Sequence, residues 1–393
     1  MILVMVLLLI NLAVLIYASY ALVLPELTAG SLPDWPIYTI VPTLAALFFI
    51  VGPVQVTLYF FFILVVLLLA YAHFTFADGK SLARLLTSPL SNLLPRLRSS
   101  NRWTMVAQLF LATTFFQLVY ILILNGVGIS TPAPPSEAPG IWLDMFGLAN
   151  ASVFEEMASR VALIGLPLFI GSLILRWFRT RGGSSTIEES KSKRGYMLGS
   201  FRYLIGGNVS RKSPTIVLIP VGALLLFSSL MFGLAHVSGW GDWKVFPAFV
   251  AGLALGYAFL RGGFLAAVML HFATDYMAAT ILLIGEDIAL QAFFSLFIIV
   301  LLIFGAGFFL YYIFYAINLV RERFLKMAPE PAPAAVSPGS PWRQEVQAAT
   351  PPAQWSQGSP QGGFFASSCP NCGWPEAVYA DGRLRCARCG KER

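Results

Sequence analysis

A polytopic all-α membrane bundle ending in a small cysteine-bearing module is the fold class this sequence predicts, on three observations. Of 393 residues, 57% are hydrophobic and 11% charged, against about 25% charged in a soluble domain. Mean hydropathy is +0.74. Apolar runs long enough to cross a bilayer recur from Ile2 to Val320. Lys and Arg gather in the segments between those runs, as orientation signals do. That distribution removes the net charge of +7 as an argument for nucleic acid binding.

In order, Ile2–Leu24 is an unbroken apolar run. It lacks a basic start and a small-residue cleavage site, so it reads as a retained span, not a removed signal peptide. Ile37–Phe76 is too long for one crossing and is interrupted at Gly52-Pro53, which predicts two spans. A polar loop, 78–102, carries Lys80, Arg84, Arg96, Arg98 and Arg102. Trp103–Val127 crosses again, followed by a Pro-rich link, 130–139, without Lys or Arg. Ile141–Arg176 exceeds one crossing; its first third reads as an interfacial helix and Val153–Leu175 as the span. Pro214–Val237, Trp243–Leu260, Phe264–Ile284 and Ile288–Val320 bring the expected total to eight or nine.

The basic loops orient this bundle. The loop 176–212 holds nine Lys/Arg against Glu188 and Glu189, and reads as cytoplasmic. Nine crossings then put the amino terminus outside and everything after Val320 inside. The expected organisation is 1–102, amino-terminal helices with a basic cytoplasmic loop; 103–326, the core; 327–368, a flexible linker; 369–393, a terminal module. The linker has eight prolines between Ala328 and Ser368 and no apolar periodicity, so it cannot bury enough surface to offset chain entropy.

Chemistry concentrates in the core. Glu155, Glu156 and Arg160 lie in one apolar run, His236 near the end of another, and His271 and Asp275 in a third. Ionisable groups are costly inside a bilayer and mark functional sites by default. On a helix Glu156 and Arg160 share a face at i, i+4 and read first as a structural ion pair. Glu155 lies about 100° round and is left free. His271 and Asp275 also share a face. His73 reads as an ordinary interfacial residue and Phe232 as packing. Taken together, nearly all the buried titratable groups fall in three short motifs on three helices, and they can satisfy one another only by meeting.

The ordered set Glu155-Glu156-x-x-x-Arg160, Phe232-x-x-x-His236 and His271-x-x-x-Asp275 resembles the CPBP group of intramembrane proteases. That group includes type II CAAX prenyl endopeptidases and bacteriocin-processing or immunity proteins. The resemblance spans roughly 103 to 290. It implies an intramembrane endopeptidase acting on a membrane-associated substrate, prenylated in the CAAX members. Glu155 would be the catalytic carboxylate and His236 would work with it on a water. His271 and Asp275 would face the developing oxyanion or complete the site, with Glu156 and Arg160 supporting. Asp275 stands where an Asn would donate an amide hydrogen. Two His plus carboxylates also match the donor types of a Zn²⁺ site, so glutamate-type and metallo routes both stay open. The orientation above puts Glu155 and His236 in the outer half of the bilayer, whereas a prenylated tail arrives from the cytoplasm; these two expectations compete. A non-catalytic scaffold or immunity-type binding protein with the same fold is the main alternative, and a proton relay or transporter the third.

The terminal module reads Cys369-Pro-Asn-Cys372, thirteen residues, then Cys386-Ala-Arg-Cys389. Paired CxxC knuckles at this separation have zinc-ribbon spacing, and the expected reducing side disfavours disulfides. The zinc would be structural. Expected partners are membrane lipid, a peptide or protein substrate, and a protein or nucleic acid at the ribbon; nothing in the sequence fixes the oligomeric state.

Overall fold

The computed structural model describes residues 13, 35–41, 45–51, 53–86, 101–132, 141–181, 200–207, 209, 215–284, 288–325, 377–380 and 383–386. The chain divides into two units, Met1–Leu325 and Lys326–Arg393.

The first unit is a helical bundle with one β-hairpin. Strands β1 (Trp35–Val41) and β2 (Ala45–Val51) pair antiparallel, Trp35 opposite Val51 and Val41 opposite Ala45. This corrects the expectation of a span over 37–51. The stretch from Ile37 to Val51 would rise only about 22 Å as a helix, short of a bilayer core. It is also rich in β-branched and aromatic residues, which favour strands. The Gly52-Pro53 break is real, and helix α1 (Pro53–Leu86) starts at the proline. It runs through Asp78, Lys80 and Arg84, so the polar loop expected from 78 begins at least two turns later.

Helix α2 (Arg102–Gly126) is started by Asn101, whose side chain accepts from Trp103 N and Thr104 N. Asp78 joins it to α1 by accepting from Arg102 N at 3.1 Å and facing the guanidinium at 3.6 Å. His73 also hydrogen-bonds that guanidinium. The Ile141–Arg181 stretch is continuous: α3 (Ile141–Glu156), a π-helix (Met157–Gly165) and α4 (Leu166–Arg181). No separate interfacial helix ends near 153. Helices α5 (Thr215–Ala235), α6 (Val245–Gly262), α7 (Phe264–Ile284) and α8 (Ile288–Leu325) follow.

Six stretches of these helices are long and apolar enough to cross a membrane: Phe61–Asp78, Arg102–Gly126, Gly147–Leu175, Leu218–Trp240, Asp242–Gly262 and Phe294–Glu322. A shorter apolar stretch, Phe264–Met277, lies in α7. The chain is a helical membrane protein. The expected first span, 2–24, lies outside the described residues.

Small residues set the helix spacing, as they must where lipid offers no hydrophobic drive for helix association. A Cβ on Gly305 of α8 would come within 2.5 Å of Leu111 O in α2. Between α5 and α6, a Cβ on Gly252 would meet Ser229 Cα at 3.0 Å, and one on Gly233 would meet Val245 O at 2.7 Å. The main core gathers Ile63, Leu67, Phe110, Val153, Phe232, Met269, Phe272 and Tyr276. A smaller cluster, Ile164, Val221, Phe259, Leu260 and Ala267, seats the π-helix against α5, α6 and α7.

In the second unit β3 (Ala377–Ala380) and β4 (Arg383–Cys386) form an antiparallel hairpin, with Ala377 opposite Cys386. Cys369, Cys372 and Cys389 lie outside the described residues.

Candidate active site

The three motifs meet. α3 delivers Glu155 and Glu156 in its last turn, and the π-helix delivers Arg160 one turn on. π-Helical turns are rare and concentrate at functional sites. Here the Ser159 carbonyl accepts from Ser228 Oγ of α5 at 2.7 Å, so a neighbouring helix clamps the wider winding.

Glu156 and Arg160 are fully buried and paired, Arg160 Nε donating to Glu156 Oε2 at 3.2 Å. Arg160 Nη1 donates to Ser228 Oγ at 2.7 Å, and the guanidinium lies 4.8 Å from the Phe232 ring centroid. The ion pair is therefore boxed in by a hydroxyl, an aromatic face and a third partner, His271. The other Glu156 oxygen, Oε1, lies 3.0 Å from His271 Nδ1. Glu156 thus does more than steady its helix: it orients an imidazole from α7.

His271 stands among three carboxyl groups. Its Nε2 is 3.4 Å from Asp275 Oδ2 and 3.8 Å from Glu155 Oε2. The remaining imidazole, His236, follows the last residue of α5. Its Nδ1 lies 2.7 Å from Phe232 O. A carbonyl only accepts, so that nitrogen carries the hydrogen and Nε2 keeps a free lone pair. The Phe232 ring packs 4.7 Å from His236 and 5.8 Å from His271, centroid to centroid. Phe232 is packing, as expected, and also the wedge between the two imidazoles. No hydrogen bond or ion pair joins His236 to Glu155.

Two carboxylates with unlike surroundings result. Glu156 is engaged on both oxygens, whereas Glu155 Oε2 is buried with no hydrogen-bond partner. Such a group is costly unless something fills the place beside it.

Whether these donors hold a metal is a separate question. Among the described residues no group of three or more His, Cys, Asp or Glu is arranged to do so. His271 Nδ1 is taken up by Glu156 Oε1 at 3.0 Å, and Nε2 faces Asp275 and Glu155 at 3.4 and 3.8 Å.

Residues 138–277 match the family model described as type II CAAX prenyl endopeptidase Rce1-like. The match covers 140 of the 393 residues and shows what this segment is similar to. The matched segment is narrower than the 103–290 expected, yet contains Glu155, Glu156, Arg160, His236, His271 and Asp275. No curated protein and no solved structure gives a match. The match to a family of intramembrane proteases supports protease activity.

Sequence reasoning passed over Ser228. Its signal was present, a Ser228-Ser229 pair in the middle of the α5 apolar run, two helical turns before His236. Ser228→Ala leaves a buried Arg160 N–H without an acceptor, a loss of about 1–3 kcal/mol. Equilibrium unfolding in detergent micelles should show that loss, and Ser228→Thr should recover part of it.

Proposed function

We propose that this chain is an intramembrane endopeptidase that hydrolyses a peptide bond of a membrane-associated substrate, with Glu155 and His236 activating a water. The observation that carries this is Glu155 Oε2, buried without a hydrogen bond and 3.8 Å from His271 Nε2, next to a Glu156 that is engaged on both oxygens. A water between Glu155 and His236 would give Oε2 its missing partner. His236 Nε2 would accept the other hydrogen of that water and aim its oxygen. As the oxygen adds to the scissile carbonyl carbon, Glu155 takes the proton. It then passes the proton to the departing amine nitrogen as the C–N bond breaks. His271, fixed by Glu156 and Asp275, holds Glu155 in place.

The chemistry needs no metal in this form. The resemblance to CAAX endopeptidases makes a prenylated peptide the first substrate to try. At the tail, Cys369, Cys372, Cys386 and Cys389 are proposed as a structural zinc site, with the β3–β4 hairpin following the first knuckle in the chain and ending on Cys386.

The test is the purified chain in liposomes with membrane-anchored peptides, prenylated and unmodified, and products identified by mass. Internal cleavage is expected, and it should survive a chelator. Activity lost to the chelator and restored by Zn²⁺ would replace the metal-free route. Ion flux that depends on Glu155, without any cleavage, would replace the protease reading with a relay.

A further inference from the structure

Near its end the basic loop folds against the bundle as a short helix, 200–205. Its inner side is held at several points. Ser200, fully buried, accepts a hydrogen bond from Ser172 Oγ of α4 at 2.7 Å. Leu204 O would be 2.5 Å from a Cβ on Gly165, so only a glycine at the end of the π-helix admits it. Gly206 and Gly207, at φ +75° and +80°, end the helix in the left-handed conformation common at such ends. The chain then runs along the last turn of α6. Gly207 N donates to Phe259 O at 2.8 Å, Val209 N to Leu260 O at 3.2 Å, and Arg261 Nη1 to Val209 O at 3.4 Å.

The outer side differs. Phe201 and Ile205, at i and i+4, share a face and are both half-exposed. Arg202, also exposed, falls within about 100° of them around the helix. A helix fastened on one side, with two apolar side chains and a cation on the other, has the pattern of one lying in a membrane interface. Its depth agrees. The span Gly147–Leu175 ends just before Trp177 and Phe178, both exposed, as aromatic residues are where helices leave the hydrocarbon. Ser172 lies about 7.5 Å before Trp177 along α4. An interfacial helix rests about 5–10 Å into the boundary between headgroups and acyl chains. The last turn of α6, to which the segment is tied, closes the span Asp242–Gly262 at this same end.

We propose that this short helix is a docking surface for an anionic lipid leaflet, Phe201 and Ile205 entering the acyl boundary and Arg202 taking a lipid phosphate. The charge around it favours that occupant over a zwitterionic one. The loop 176–212 holds nine Lys/Arg against Glu188 and Glu189. Lys191, Lys193 and Arg194 precede the helix in sequence, and Arg211 and Lys212 follow it. Each basic residue at such a surface favours anionic lipid by about five-fold. The inference is independent of the hydrolase reading, and its test reads no cleavage. The competing role is a plain lipid-facing wall, indifferent to the headgroup.

The full chain in nanodiscs, with photoreactive phosphatidylglycerol or photoreactive phosphatidylcholine and cross-linked peptides mapped by mass, separates the two. The peptide carrying 200–205 should take at least about five-fold more label from phosphatidylglycerol. Arg202→Gln should cut that ratio by about five-fold, and Arg202→Lys should keep it. Phe201→Ser with Ile205→Ser should lower labelling by both lipids. Equal labelling of the wild type by the two lipids makes the helix a plain wall and overturns the proposal. Absence of label from this peptide means that something other than lipid covers the face, and overturns it equally. A wild-type ratio in R202Q moves the preference elsewhere in the loop, with the same consequence. Inorganic phosphate that abolishes the preference, where chloride of equal ionic strength does not, makes the ligand a free anion and also overturns it. If R202Q does not fold, the wild-type ratio and R202K decide.

Discussion

Glu155→Gln should abolish cleavage and leave the bundle folded. The substitution keeps size and shape but deletes the basic oxygen that the proposed water needs. A positioned general base contributes about 10²–10⁴ in rate, so residual activity should fall by at least the lower figure. Folding should survive because Glu155 Oε2 holds nothing in place by a hydrogen bond. Glu156→Gln makes the informative partner. There the loss reaches the Arg160 pair and the His271 contact together, so stability drops as well as rate. Rates by product mass and unfolding midpoints on the same preparations separate the two carboxylates. Glu155→Gln at wild-type rate would remove the proposed mechanism.

Arg160→Leu has the second large effect, on stability. Removing one member of a buried pair leaves an uncompensated charge, at a cost of about 3–5 kcal/mol. Both side chains here are at 0% exposure, so solvent offers Glu156 nothing in exchange. Replacing the pair together, Arg160→Leu with Glu156→Leu, should be less destabilising than Arg160→Leu alone, because two apolar side chains strand no charge. Detergent-denaturant titrations give both numbers. A double variant weaker than the single would mean the pair is not acting as a unit. The double variant should still be inactive, since His271 loses the oxygen at 3.0 Å that orients it.

Much of this was legible in the sequence, and for a physical reason. A charge inside an apolar run stands out because burying it is expensive; thus Glu155, Glu156, Arg160, His236, His271 and Asp275 could be selected, and the structure draws them together. Apolar runs such as Trp103–Val127 and Phe264–Ile284 gave the helices nearly to the residue. The hairpin over 35–51 was not legible, because a short apolar run obeys helix and strand patterns equally. The π-helix was not legible either: the contacts made along it come from distant residues, Ser228 of α5 and Leu204, whose carbonyl would be 2.5 Å from a Cβ on Gly165.

The π-helix also acts as a phase shifter. Its i→i+5 bonding takes up more chain per turn than an α-helix does, so α3 and α4 need not keep one common face. Before it, Val153 and Glu156 turn inward, while after it Leu166, Ile170 and Ile174 form an outward stripe at 42%, 45% and 49% exposure. Acyl chains would bathe that downstream stripe while the upstream carboxyls stay dry. Deleting one residue between Met157 and Gly165 would regularise the helix and swing one half by about 100° against the other, trading a reactive face for a greasy one without altering any side chain of the site.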